Sequence, residues 1–231
     1  VCNVQNVKDN LNHGNFIFIK LHGGLGNQLF QVAAGVNFCL KYNFLPILVY
    51  EDGDRKKDFY PHSDQDTILT NIFCNFNKIT LQKLRELNYK CTLFKPENSF
   101  TDAYNFYGEI TTKSHIYFDG YFQNINYFQE NSDLISELFI NDIQISRIKN
   151  IFKNLEKSYF IHIRRGDYVG KKQYEINYDF YFKESLNLLL KKEKEKIKMF
   201  VLSNDIEYCK TYQVLEDFKE KINFTFITKL N

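Results

Sequence analysis

The feature that most constrains this chain is an apolar run, Phe16–Leu21, that ends in His22-Gly23-Gly24-Leu25-Gly26-Asn27-Gln28 and passes straight into a helical pattern. Leu29, Phe30, Ala33, Ala34, Val36, Asn37 and Leu40 recur near helical spacing, which predicts a helix over 27–42. A second apolar run, Pro46–Tyr50, follows at once. Strand, helix and strand in that order make a βαβ unit, and the near-continuous apolar content of its strands is that of a parallel sheet buried on both faces. Gly23, Gly24 and Gly26 lack a Cβ, so a ligand can approach the backbone there, next to the free N–H groups and positive dipole end of the helix. The segment is neither a dinucleotide fingerprint, because the third glycine is missing, nor a P-loop, because no Gly-Lys-Ser/Thr follows. Without a ligand, the same residues would serve as a tight strand-to-helix turn.

A second strand end carries charge in place of bare backbone. Ser158–Ile163 reads as a strand and runs into Arg164-Arg165-Gly166-Asp167-Tyr168. A guanidinium is always charged and forks onto phosphate oxygens. Open α/β sheets bind ligands at such carboxyl ends. Arg165 is the first choice for a phosphate and Arg164 the second. The two arginines could instead pair with Asp167 on the surface, and His162 could be an ordinary strand residue bonded to backbone.

The remaining pattern completes two α/β halves facing a cleft. In the first half, 81–87 reads as a helix, 90–94 and 115–119 as strands with a loop between them, and the charged stretch 51–66 as a loop. Helices are expected over 124–139 and 142–155, with a boundary near 140–142, giving domains 1–141 and 142–231. The second half adds a helix over 178–196, a strand over 198–202, a helix over 205–218 and a strand over 223–227. Ser203, Asn204 and Asp205 sit at another strand end. They either touch a ligand or cap the following helix; Asn204 is a candidate for the N-cap as much as for ligand contact.

Composition narrows the function. With 44% hydrophobic and 25% charged residues, the 231-residue chain can bury a substantial core. A net charge of +2 gives no reason to expect nucleic acid as a partner. No apolar stretch reaches the about 20 residues a membrane span requires, and residues 1–13 show no secretion-signal pattern. The five cysteines have no pairing or metal pattern and read as reduced thiols, so a cytoplasmic location is expected. Asn223-Phe224-Thr225 fits a glycosylation sequon but reads as a plain strand.

Four blocks together resemble the α-1,2-fucosyltransferases of glycosyltransferase family 11. They are Gly23-Gly24-Leu25-Gly26-Asn27-Gln28-Leu29-Phe30-Gln31, then Phe118-Asp119-Gly120-Tyr121-Phe122-Gln123-Asn124, then His162-Ile163-Arg164-Arg165-Gly166-Asp167, and Phe200-Val201-Leu202-Ser203-Asn204-Asp205-Ile206-Glu207-Tyr208. Asn204 and Tyr208 stand where the family often has Asp and Trp.

The resemblance implies a GT-B-like pair of Rossmann-like halves. It implies inverting transfer of L-fucose from GDP-fucose to the 2-hydroxyl of a galactosyl glycan acceptor. The donor would be held by Gly23, Gly24, Gly26, Asn27, Gln28, His162, Arg164, Arg165, Ser203, Asn204 and Asp205. Arg165 would meet the leaving phosphate. Asp167 is the nearest candidate base, with Asp119 and Glu109 behind it. No cofactor or metal is expected. Family members usually continue past the position of Asn231 with a helix and a Ser- and Trp-rich block. The C-terminal half is therefore expected to be shortened, prone to self-association and weak as a transferase. The alternative function is a catalytically inactive nucleotide-sugar or glycan-binding protein.

Overall fold

Strand β1 (Phe16–Lys20) is buried on both sides, and it is the strand about which the N-terminal sheet is organised. In the computed structural model, which describes residues 14–53, 65–96, 114–139, 146, 157–172 and 176–227, it lies between β2 (Leu45–Tyr50) and β5 (His115–Phe118). The sheet order is β3-β2-β1-β5-β4, with β3 at Asn77–Thr80, β4 at Cys91–Phe94 and every pairing parallel. Helix α1 (Leu25–Tyr42) begins two residues earlier than its periodicity predicts, because Gly24 serves as its N-cap. It packs so closely on β1 that a Cβ at Gly35 would stand 2.3 Å from Ile19 Cδ1. Asn43, in the left-handed region, ends it.

Two cores flank this sheet. Ile17, Ile19, Leu48, Ile116 and Phe118 pack with α1 residues such as Val32, Val36 and Phe38. On the opposite face Phe16, Phe18, Ile47 and Val49 meet Leu84 of α3 (Leu81–Leu87). Thr80 caps α3 by accepting from the Lys83 N–H at 3.1 Å, which is why the helix starts directly after β3.

The structure departs from the sequence reading at several places. Strand β3 and the helical turn α2 (Gln65–Thr67), continued as a π turn over Ile68–Ile72, are additional elements. The single helix expected over 124–139 is two 3₁₀ turns, Ile125–Tyr127 and Gln129–Asn131, followed by α4 (Ser132–Phe139). The tighter turns carry Tyr127 into the core against Phe122, at 5.3 Å between rings. The expected helix over 142–155, the boundary near 140–142, Glu109 and most of the loop over 51–66 lie outside the described residues.

The chain forms two units, Val1–Gln144 and Ile145–Asn231. The second holds a parallel sheet in the order β6-β7-β8, with β6 at Ser158–Ile163, β7 at Ile197–Ser203 and β8 at Ile222–Phe226. Successive strands added on the same side require crossovers of the same hand, so the connecting helices fall on one face. Phe182 and Leu186 of α5 (Tyr178–Lys192), Cys209 of α6 (Ile206–Lys210), and Val214 and Leu215 of α7 (Gln213–Phe218) share one core with Ile161, Ile163, Met199, Val201 and Ile222. Helix α5 stops at Lys192, short of the expected 196. Glu193 leaves the helical conformation there, and its carboxylate accepts from the Tyr159 hydroxyl at 2.5 Å. The helix expected over 205–218 is broken at Thr211 and Tyr212 into α6 and α7. The sequon lies within β8.

Among the described residues no helix is long and apolar enough to cross a membrane. Among the described residues, Cys39, Cys74, Cys91 and Cys209 are not in disulfide bonds.

Candidate functional site

Each unit gathers its block residues at the carboxyl ends of its strands. In the N-terminal unit the strand order changes direction between β1 and β5, which is where open parallel sheets place ligands. The loop after β1 turns at Gly23, whose φ of +75° disfavours a side chain and where a Cβ would stand 2.6 Å from Asn27 Nδ2. Gly24 and Gly26 have open space where a Cβ would be.

Amides hold this loop from beneath. Gln28 is fully buried; it donates to the Gly23 carbonyl at 2.9 Å and exchanges two hydrogen bonds with the buried Gln65, at 2.7 and 3.0 Å. Gln28, expected at the donor, thus faces the core, where it holds the backbone of the loop. Gln31 does the same one turn on. Its Oε1 accepts from the His22 N–H at 3.1 Å, and its Nε2 donates to the His22 carbonyl at 3.1 Å and faces His22 Nδ1 at 3.2 Å. The backbone N–H fixes which end of the amide is oxygen, so Nδ1 must accept and the imidazole proton sits on Nε2. Burial, and then the Lys20 cation, lower the pKa of His22 below its ordinary value, against an opposing pull from Asp119.

Three contacts tie the loops after β1 and β5 together. Lys20 Nζ lies 3.0 Å from both oxygens of Asp119. The rings of His22 and Tyr121 are 4.4 Å apart. Asn27 Oδ1 accepts from Gln123 Nε2 at 2.7 Å. Sequence reasoning named Asn27 and Asp119 but missed Lys20, His22, Gln31 and Gln123 as partners. The available signal was that both blocks follow strands of the same unit.

In the C-terminal unit, Ile163 and Ser203 end their strands in register. Ser203 Oγ donates to the Ile163 carbonyl at 2.6 Å and accepts from the Asp205 N–H at 2.9 Å. Asn204 Oδ1 accepts from the Arg165 N–H at 2.8 Å. The N-cap of α6 is therefore Asp205, which accepts from the Tyr208 N–H at 3.2 Å, and Asn204 instead bridges the two strand ends. Gly166 is favoured on two counts: its φ is +55°, and a Cβ there would lie 2.4 Å from Asn204 Nδ2.

These contacts aim Arg165. Its Nε donates to Asp205 Oδ2 at 3.2 Å, and its Cζ lies 3.5 Å from the centre of the Tyr208 ring. Arg164 covers Tyr168 at 4.6 Å. Both arginines line a pocket of about 320 Å³ walled by Tyr168, Tyr178, Tyr208 and Tyr212. Tyr212 donates to Asp179 at 2.5 Å, and burial followed by that carboxylate raises the phenol far above its ordinary pKa, so it stays protonated. The helix break at Tyr212 is what turns this ring into the wall.

His162 is exposed on the opposite face of β6 from Ile161 and Ile163 and does not line this pocket. The side chain of Asp167 lies outside the described residues. No three His, Cys, Asp or Glu side chains come together as metal ligands among the described residues. The tyrosine walls were not foreseen, because their positions follow from helix breaks and starts that carry no separate motif.

Comparisons with known proteins agree with this geometry. The sequence model of glycosyl transferase family 11 matches residues 19–226. An α-1,2-colitosyltransferase of Escherichia coli is 28% identical over 214 residues, covering 85% of this chain and 71% of that protein. The crystal structure of fucosyltransferase NodZ from Bradyrhizobium superposes with a TM-score of 0.57 at 11% identity, over 94% of this chain and 79% of that one. NodZ α-1,6-fucosyltransferase soaked with GDP-fucose gives 0.53 at 12% identity, over 94% and 78%. At such low identity these structures show a common α/β fold of parallel sheets, GT-B-like in kind.

Proposed function

Because the chain belongs to glycosyl transferase family 11, we propose that it moves L-fucose from GDP-fucose to the 2-hydroxyl of a galactosyl acceptor, with inversion. The observation that carries this reading is the immobilised Arg165. Nε is held by Asp205, the ring of Tyr208 lies under the guanidinium, and Asn204 anchors its backbone. Its Nη groups have no protein partner among the described residues and are left for an anion. As the bond to fucose breaks, charge accumulates on the β-phosphate of the departing GDP. A donor fixed in advance stabilises that charge without reorganising. The tyrosine walls suit stacking of a nucleobase. The crevice between β1 and β5 is read as the acceptor side. Asp167 is proposed as the base for the acceptor hydroxyl. Asp119 is engaged by Lys20 through both oxygens.

A second reading has the Escherichia coli relative on its side: the sugar transferred is colitose in place of fucose. The two are separated by offering GDP-fucose and GDP-colitose with lactose as acceptor. Donor loss that accelerates with lactose, and a product whose new linkage is α-1,2 by NMR, support transfer. GDP binding without turnover of either donor would favour the inactive binding protein instead. In the proposed chemistry the arginines carry the phosphate charge, so transfer should persist in a strong chelator. Activity that vanishes in chelator and returns with Mg²⁺ or Mn²⁺ would place a metal on the phosphates.

A further inference from the structure

The N-terminal unit has a second concavity, of about 500 Å³, on the sheet face that carries α3. Lys20, Arg85, Asn88, Tyr89 and Tyr117 line it above Leu84. Asn88, in the left-handed region at φ +49°, ends α3 and reverses the chain. Tyr89 is thereby laid against Phe18 at 5.6 Å, ring on ring, and edge-on to His115 at 4.9 Å. The residue as a whole remains 36% exposed. Arg85 has no ion pair among the described residues. The carboxylate next to it in sequence, Glu86, is held by Lys83 at 3.0 Å and by Gln82 at 3.3 Å. Lys20 is neutralised by Asp119. The pocket thus carries one uncompensated guanidinium beside a fixed tyrosine face and an amide. The dipole of α3 favours a cation at that end, but it does not call for a cavity walled by rings.

Lys20 connects this pocket to the crevice. Its side chain lines the pocket while its Nζ holds Asp119 at the end of β5, beside the loop of His22 and Tyr121. Because Lys20 borders both places, an acceptor of more than one sugar unit is the ligand class that would occupy them together. We propose that this pocket is an acceptor subsite for a carboxylate-bearing sugar, with Arg85 forking onto the carboxylate and Tyr89 meeting the pyranose face. As an acceptor subsite it rests on the crevice being the acceptor side; as a binding site it stands by itself.

The test is binding to the full chain without donor, so a failure of fucosyl transfer leaves its result standing. Methyl β-D-glucuronoside, methyl β-D-glucoside and inorganic phosphate are titrated separately at low salt and followed by ¹H–¹⁵N NMR. The glucuronoside should shift the amides of residues 85–91, and the glucoside should bind about tenfold more weakly, in line with loss of a charge-assisted contact. Arg85→Gln, on an exposed helix position, should reduce glucuronoside binding by a similar factor and leave the spectrum elsewhere unchanged. Tyr89→Leu should weaken the glucuronoside and the glucoside alike. Equal binding of the two sugars, retention of affinity in Arg85→Gln, shifts away from this pocket, or no binding by either sugar would overturn the proposal. Phosphate competing as well as the glucuronoside would show a bare anion site and would overturn it too.

Discussion

The two loops that carry the sequence blocks are built in opposite ways. The loop after β1 is held from inside: Gln28, Gln65 and Gln31 are buried, and their amides bond to one another and to the loop backbone. The loop after β6 is held at its surface, by Asn204, Asp205 and the ring of Tyr208 around Arg165, whose side chain is 29% exposed. A buried amide network fixes backbone shape and resists change, because any member removed leaves another without a partner. A partly exposed ionic cluster adds little stability but fixes the direction of a charge. The first loop therefore presents shape and the second presents charge. Damage to the first should read out as lost stability, and damage to the second as lost activity.

The largest expected effect follows from that division. Arg165→Ala should lower transfer by on the order of 10²–10³, the range for removing one preorganised donor. Far-UV circular dichroism and the unfolding midpoint should stay close to wild type, and the thermal shift produced by GDP should disappear. An unchanged GDP response would remove the phosphate from Arg165.

Next in size is Gln28→Leu, which strands the Gln65 amide and should cost about 1–3 kcal/mol in urea unfolding. The double change Gln28→Leu with Gln65→Leu should cost less than the sum of the two single changes, since both polar groups leave together. Additive costs would show that the pair is not coupled. Asn204→Ala is the counterpart at the other strand end. It should change stability less than Gln28→Leu but reduce transfer more, and the reverse result would break the comparison.

A smaller effect is expected at the glycines. Gly166→Ala should cost about 1–2 kcal/mol, because an L-residue resists positive φ and the new methyl displaces Asn204. Gly24→Ala meets no such conflict, since its φ is −72° and nothing lies within 4 Å of a Cβ there. It should be near neutral for stability. A fall in ligand affinity in Gly24→Ala alone would confirm a close approach of ligand to backbone.

The smallest effect is in pH. Burial lowers the pKa of both His22 and His115, and each Nδ1 faces a donor, Gln31 Nε2 and the Phe16 N–H respectively. A base whose folded pKa is depressed binds fewer protons when folded than when unfolded. Its neutral form stabilises the fold above the unfolded value, about 6.5, and that contribution is lost as pH falls through the depressed value. Unfolding free energy should thus decline below about pH 6.5. The decline should be shallower in His115→Gln, and equal slopes for the variant and wild type would remove His115 from the effect.

Much of the fold was legible because parallel strands and their helices leave local marks. Helix α3 and strand β6 fall where periodicity placed them, and β1, β2, β7 and β8 agree to within a residue at most ends. The failures share a cause. Strand β3, Asn77–Thr80, is short and polar, and it is a strand because β2 offers it an edge. The breaks at residue 128 and at Tyr212 occur where burial of Tyr127 and the placing of Tyr212 outweigh helix continuation, and no local pattern records that competition.

The same boundary runs through the sites. The sequence by itself determined that glycines and arginines stand at strand ends, because residue type and strand periodicity are local properties. It also carried the family, because four blocks in order are specific together. Only the tertiary structure decided that Gln28 faces the core, that His162 points away from the arginine pocket, and that Asp205 rather than Asn204 caps α6. Those outcomes depend on which partner each polar group finds across 37 to 40 residues of chain, as in Gln28 with Gln65 and Arg165 with Asp205. A buried polar group must be satisfied by whatever the fold brings to it, and that neighbour is fixed by strand register and crossover, not by the residues beside it in sequence.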